Sequence, residues 1–148
     1  MADIKSKEDR SRNMSAIKNK DTKPEIIIRS KLFSLGYRYR KNVRQMPGHP
    51  DIWLKKYNTV IFINGCFWHR HSNCKYAYTP KSKVEFWNNK FEANIKRDNT
   101  VKEEYSKMGI RLLVVWECSI KNDKKNEYIN VLNQIAEFLD KEEAYKEI

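Results

Sequence analysis

Hydrophobic spacing divides the chain into helices and strands. Ile28, Leu32 and Leu35 fall on one helical face, and that helix has signals at both ends. Thr22 can cap it, Pro24 suits the first turn, Glu25 stands at the capping-box position, and Gly36 stops it. Tyr37-Arg38-Tyr39-Arg40 alternates, as a strand does. Residues 45–50 hold two prolines and a glycine and read as a turn. Asp51-Ile52-Trp53-Leu54 reads as a strand, residues 55–58 as a turn. The continuous β-branched run 59–63 predicts a central strand buried on both sides. Residues 64–83 follow neither period and gather His, Cys and aromatics. A long amphipathic helix is expected over 84–108, with Val84, Trp87, Phe91, Ile95, Val101, Tyr105 and Met108 inward and Gly109 ending it. Residues 110–116 (IRLLVVW) predict the last buried strand. A final helix over 125–145 would turn Ile129, Leu132, Ile135, Ala136 and Leu139 inward. This order predicts an α/β fold with a mixed sheet flanked by helices. Residues 21–148 form one domain in this reading, and 1–20 a polar arm carrying a short helix.

Composition narrows the class. With 40% hydrophobic residues among 148, a modest core is available and wholesale disorder is excluded. No apolar run approaches the ~18 residues of a membrane span, and the first residues lack the apolar stretch of a secretory leader. Three cysteines, an odd number, argue against a disulfide framework and fit a cytoplasmic protein with reduced thiols.

Charge then points to a partner. Residues 1–50 carry 13 basic and 5 acidic side chains, residues 51–100 carry 9 and 4, and residues 101–148 carry 8 and 10. A basic front two thirds fits a polyanion, and the 18 Phe, Trp and Tyr beside those cations suit base stacking. The arm reads as a DNA contact, with a disordered terminus as its alternative.

Cys66, His71 and Cys74 crowd the irregular segment, and Cys118 follows the last strand. Soft thiolates with one imidazole in a tetrahedral set suit zinc. Four protein ligands leave no open position, so the site would be structural, stapling the loop to the end of the 110–116 strand. Three ordinary buried cysteines are the alternative. Asp51, at a strand start beside the 59–63 strand, suits Mg²⁺; a turn cap after Pro-Gly-His-Pro is an equal reading. Asp98 lies within the apolar stripe of the long helix, so it is paired, protonated or functional. Glu25 can serve the capping box or point inward. His69, held rigid if His71 binds zinc, suits a general base or acid; alone it would read as a surface histidine. Phe67 and Trp68 are adjacent in a loop, suited to insertion between bases or to covering the zinc site.

The segments Pro47-Gly48-His49-Pro50-Asp51, Val60 to His71 (VIFINGCFWHRH), Glu85-Phe86-Trp87 and Val114-Val115-Trp116-Glu117-Cys118 together resemble the very short patch repair (Vsr) DNA mismatch endonucleases. Arg12 to Ile17 and Asp21 to Glu25 match the family's front, and the resemblance spans about residues 8–121. It implies a restriction-endonuclease-like core that nicks one strand 5′ to the T of T:G mismatches left by deaminated 5-methylcytosine. It implies catalytic Mg²⁺ on Asp51 and the backbone carbonyl of Ile63, with His69 acting at the attacking water or the leaving group. Glu25 and Asp98 would support the site. Structural Zn²⁺ would sit on Cys66, His71, Cys74 and Cys118. Phe67, Trp68 and Trp87 would wedge beside the mismatch, and Met14 of the arm would reach the other groove. The partners implied are double-stranded DNA with a T:G mismatch and mismatch-repair proteins, for a monomer at the nucleoid. One position departs from the pattern: the family usually has His directly before Gly-Cys-Phe-Trp-His, and here that residue is Asn64. Asn orients a phosphate, a water or a metal-bound water but does not exchange protons near neutrality, which shifts the acid/base load to His69. Two other functions fit the same residues: a restriction-type nuclease without mismatch preference, and a non-catalytic zinc-stapled DNA-binding protein.

Overall fold

The computed structural model describes residues 22–148. The arm over 1–20, with Met14, lies outside the described residues. Helix α1 (Lys23–Ser34) opens the described chain and is followed by strands β1 (Arg40–Lys41), β2 (Ile52–Leu54) and β3 (Thr59–Asn64). The long helix α2 (Val84–Met108) leads to β4 (Arg111–Trp116), short α3 (Glu117–Asn122), α4 (Ile129–Asp140) and β5 (Tyr145–Glu147). The five strands form one sheet in the order β1-β2-β3-β4-β5, antiparallel through β3 and parallel from β3 to β5. The mixed α/β architecture expected from the sequence is present, and α2 has the predicted limits.

Both sheet faces are covered, which explains why the 59–63 and 110–116 runs do not alternate. One face, through Ile61, Ile63, Leu113 and Val115, packs on Ile28 and Leu32 of α1, Ile120 of α3, and Leu132, Ile135 and Phe138 of α4. The other, through Val60, Leu112, Val114 and Trp116, packs on Tyr105 of α2 and on the 64–83 loop. Each such side chain, taken fully from water, contributes roughly 1.5–3 kcal/mol.

The differences from expectation have local causes. Gly36, at φ 96°, turns the chain so that the Tyr37 amide bonds back to the Leu32 carbonyl. That amide is spent on the helix end, and pairing begins only at Arg40. Thr22 makes no side-chain capping bond to α1, and Glu25 lies buried against Arg29 at 3.5 Å. Among the predicted inward residues of α2, Phe91 and Tyr105 are buried, while Val84, Ile95 and Met108 are 44%, 43% and 53% exposed. The helix overhangs the sheet, so only part of its stripe meets a neighbour.

The last helix starts at Ile129, later than predicted, because buried Asp123 caps it. Its Oδ2 accepts from the Val131 amide at 2.9 Å, and its Oδ1 from the Asn130 side chain at 3.0 Å. Ile129 is exposed, and Val131 and Phe138 take inner positions. Tyr145, predicted inside that helix, instead opens β5. Arg111 closes the end of α4, donating to the Phe138 and Leu139 carbonyls.

Candidate active site and metal centre

Parallel register brings the candidate metal ligands together. Asn64 pairs with Trp116 at the C-terminal ends of β3 and β4. Cys66 and Cys118 each lie two residues beyond those strand ends, so the ladder sets them side by side. The loop turns back through hydrogen bonds from His69 N to Gly65 O and from His71 N to Cys66 O, both 3.1 Å. Cys66, His71, Cys74 and Cys118 thereby bring their ligand atoms within 4.8 Å of one another, the four ligands expected from spacing. His71 Nδ1 lies 3.4 Å from Cys118 Sγ. Burial pushes the Cys66 thiol up to about 12, so this sulfur needs a cation to become a thiolate. Three thiols and an imidazole at this closeness fit a tetrahedral metal ion. The indole of Trp116 stacks on His71, and Tyr76 packs against the same cluster.

The acidic site forms where β2 and β3 part. Their ladder ends at Ile52–Ile61. Beyond it the Ile63 amide donates to Asp51 Oδ2 at 2.6 Å instead of to a strand. Burial, first, and the neighbouring Glu25 carboxylate, second, push the Asp51 carboxyl up to about 7; the Ile63 amide, Arg29 and His69 oppose them. The turn before Asp51 is packed rigidly. Tyr105 donates to the Pro47 carbonyl, and Gly48, at φ 69°, sits where a Cβ would lie 3.0 Å from Val101 and 3.1 Å from Phe62. Glu25, buried 3.5 Å from Arg29, reaches this site from α1, so the inward reading of Glu25 is the one adopted. Two carboxylates brought together out of water suit a hard divalent cation, which would relieve their repulsion.

His69 completes the group. Its Nδ1 lies 2.7 Å from Asp98 Oδ2, with both side chains about a third exposed. Asp98 therefore has the partner that its place in an apolar stripe demanded. The pair lines a cleft of about 580 Å³ between α2 and the sheet, together with Asn64, Asn94 and Trp116.

The aromatic residues form a cluster of their own. Phe67 touches Trp68, Tyr78, Trp87 and Phe91 at centroid distances of 5.1, 5.0, 5.6 and 5.3 Å. Trp68 and Trp87 are 5.8 Å apart, and Trp68 and Phe67 are half-buried. Several supporting residues were not foreseen. Arg70 stacks 3.9 Å over Phe91 and donates to the Ala77 and Tyr78 carbonyls, pinning the loop. Asn94 donates to the Trp68 carbonyl at 3.1 Å. The signal for Asn94 was available: Trp87, Phe91, Asn94 and Asp98 follow one another at intervals of 4, 3 and 4 on one helical face.

Comparison with known proteins decides the family. Residues 2–75 match the family model described as DNA mismatch endonuclease Vsr. The chain belongs to that family. It is 48% identical over 122 residues to the Type II nicking enzyme V.NmeAIP of Neisseria meningitidis, covering 82% of this chain and 86% of the relative. It is 38% identical over 125 residues to the DNA mismatch endonuclease Vsr of Escherichia coli strain K12, covering 84% and 80%. A third relative, the Type II nicking enzyme V.XorIIP of Xanthomonas oryzae, is 39% identical over 122 residues, 82% of this chain and 89% of its own. The residues just described thus stand in a nuclease of the Vsr family. No described helix is long and apolar enough to cross a membrane.

Proposed function

We propose that this nuclease nicks one strand of duplex DNA 5′ to the T of a T:G mismatch, with Mg²⁺ as cofactor and a structural Zn²⁺. The observation that carries the reading is the buried Asp51 carboxylate at the parted ends of β2 and β3, within electrostatic reach of Glu25 and of His69, whose ring is paired with Asp98. Phosphodiester hydrolysis needs charge neutralisation, a placed water and a proton for the leaving 3′-oxygen. Bound Mg²⁺ would supply charge neutralisation and a more acidic water. Asp51 and the Ile63 carbonyl would hold it, with Glu25 reaching its waters. Asp98 accepts at His69 Nδ1, fixing the tautomer and leaving Nε2 to give or take a proton. Asn64, at the end of β3, orients water or phosphate without exchanging protons. Cys66, His71, Cys74 and Cys118 would hold Zn²⁺ and with it the loop that carries His69.

Mismatch preference rests on the aromatic cluster. Phe67, Trp68 and Trp87 form one cluster of edge-to-face and tilted rings on the loop that carries His69 and on α2, and an already weakened pair costs less to unstack. Residues 1–20, with Met14, are assigned to contacts in the other groove, and residues 21–148 to the endonuclease domain.

The test is nicking of end-labelled duplexes, matched and with each single mismatch, with and without Mg²⁺. One Mg²⁺-dependent nick 5′ to T in the T:G duplex alone supports the reading. Equal cutting of matched DNA would return the protein to the restriction-type alternative, and binding without cutting under any metal to the non-catalytic one.

A further inference from the structure

The outer edge of the sheet carries an unbalanced charge that the reaction centre does not explain. Between Glu25 and Glu85 the chain has twelve Lys and Arg but one acid, and that acid is Asp51. Five of these cations, Arg40, Lys41, Arg44, Lys55 and Lys56, lie exposed on β1, on the segment after it, and on the turn after β2. None of the five forms an ion pair with a carboxylate of the described residues.

Their placement relative to Asp51 is fixed by backbone pairing. Arg40 pairs with Trp53 and Lys41 with Ile52. The two segments stay together beyond the strand, through Asn42 N to Asp51 O and Val43 N to Pro50 O, both 3.2 Å. The row of cations thus runs along the edge and alongside the residue that bears the carboxylate. Asn42, at φ 50°, bends the edge just past Lys41, so the cations from Arg40 to Arg44 follow a curved line beside Asp51 and not a straight strand. The support is stiff, since the 46–50 turn is bound to α2 at Pro47 and packed against it at Gly48.

We propose that β1 and the segment through Arg44 form a phosphate track, which lays one strand of duplex DNA along the sheet edge and leads it to Asp51. This rests on the reading of Asp51 as the reaction centre. Contacts of this kind go to phosphate and carry no sequence information, so the track is sequence-blind. A competing explanation is that edge cations keep two sheets from pairing. A strand of two residues is already too short to template such pairing. A guard would also tolerate interspersed acids, whereas a phosphate track does not.

The experiment measures binding of the full chain to a matched duplex and to a T:G duplex, without Mg²⁺, over a salt series. The variants are Arg40→Gln/Lys41→Gln/Arg44→Gln and, as a control on the acidic third of the chain, Lys124→Gln/Lys125→Gln. The track predicts a log–log salt slope shallower by about 2–3 for the triple variant, at ~0.9 per phosphate contact. The loss should be equal on both duplexes, and the control should keep the parent slope. A parent slope in the triple variant overturns the proposal, and parent slope with new self-association assigns these residues to edge protection. A loss confined to the T:G duplex also overturns it. Nicking by the parent protein tests the Asp51 reading separately, since binding without metal does not depend on it. If the slope falls but Asp51→Ala still nicks, the track leads elsewhere and the proposal fails in its second half.

Discussion

The indole of Trp116 lies flat against the imidazole of His71, with 4.2 Å between centroids and 8° between planes. The indole is itself held, its Nε1 donating to Glu147 of β5 at 2.7 Å and its backbone amide to the Ile148 carbonyl at 3.0 Å. The imidazole of the candidate metal site is thereby oriented by a strand that lies outside the motif. Supporting contacts of this kind commonly change metal affinity by ~10–100-fold.

Trp116→Ala should therefore release zinc about tenfold faster or more to a coloured chelator, while Trp116→Phe, which keeps a ring, should fall between. Glu147→Gln should retain the parent rate and Glu147→Ala should not. Unchanged release from Trp116→Ala in a folded protein would make the stacking incidental. Full removal of zinc should unfold most of the loop, because a site of this type carries ~10 kcal/mol or more.

Asp51 gives a stability prediction with a definite sign. Its folded-state value, about 7, lies above the ordinary 3.8. The unfolded chain therefore ionises first, and the native protein loses stability as pH rises from about 4 to about 7, then levels off. The penalty above pH 7 is of the order of 2–4 kcal/mol in Mg²⁺-free solution. Asp51→Asn keeps an acceptor for the Ile63 amide and removes the charge. It should raise the melting temperature by roughly 5–10 °C at pH 8 and by much less at pH 5, with zinc retained throughout. An equal gain at both values would mean that charge burial is not the cause. The same substitution should abolish nicking, so stability and activity move in opposite directions.

Sequence legibility followed the range of the forces involved. The ends of α2 and the buried runs of β3 and β4 could be read because their signals are local and every position agrees. The clustering of Cys66, His71, Cys74 and Cys118 could be read because thiols and imidazole have few other reasons to crowd together. The 125–145 segment could not. Its true start depends on Asp123 capping from seven and eight residues away, at Asn130 and Val131, and not from the usual capping position, and its end on β5 finding the β4 edge, a pairing no local window contains. Glu25 was ambiguous for a related reason: one spacing serves a cap or a buried site, and only the packing of α1 against β2 and β3 chooses. The contacts of Arg70 with residues 77, 78 and 91 required a loop path that has no periodicity.

The aromatic cluster separates two residues that looked equivalent. Phe67 meets four rings, while Trp68 meets two and is held by Asn94 at its carbonyl. Phe67→Ala should lower stability by ~3 kcal/mol, the usual cost of removing a packed ring. Trp68→Ala should cost less stability and reduce T:G preference by the ~1–3 kcal/mol of one base-stacking contact. Binding to both duplexes and thermal melting are the measurements. Equal loss on matched and T:G DNA would make Trp68 a packing residue only.

The final prediction concerns proton transfer. His69 is committed at Nδ1 to Asp98, so a single nitrogen remains to act on water or leaving group. Asn64 shares the cleft with this pair and cannot take over its role. His69→Ala should slow nicking by ~10²–10⁴-fold, the usual worth of one acid/base group. Asp98→Asn should also slow it, because an amide can donate to Nδ1 and so favour the opposite tautomer, with the proton on Nε2. The loss should appear in single-turnover rate and not in DNA affinity, since neither change removes a phosphate contact. Asn64→His places a second imidazole in the cleft and should raise the rate or leave it unchanged. In the double variant Asn64→His/His69→Ala it should restore part of what His69→Ala loses, if the proton can be handled from the end of β3. Parent-like nicking by His69→Ala would show instead that the metal-bound water needs no side-chain base, and would reduce the His69–Asp98 pair to holding α2 against the loop.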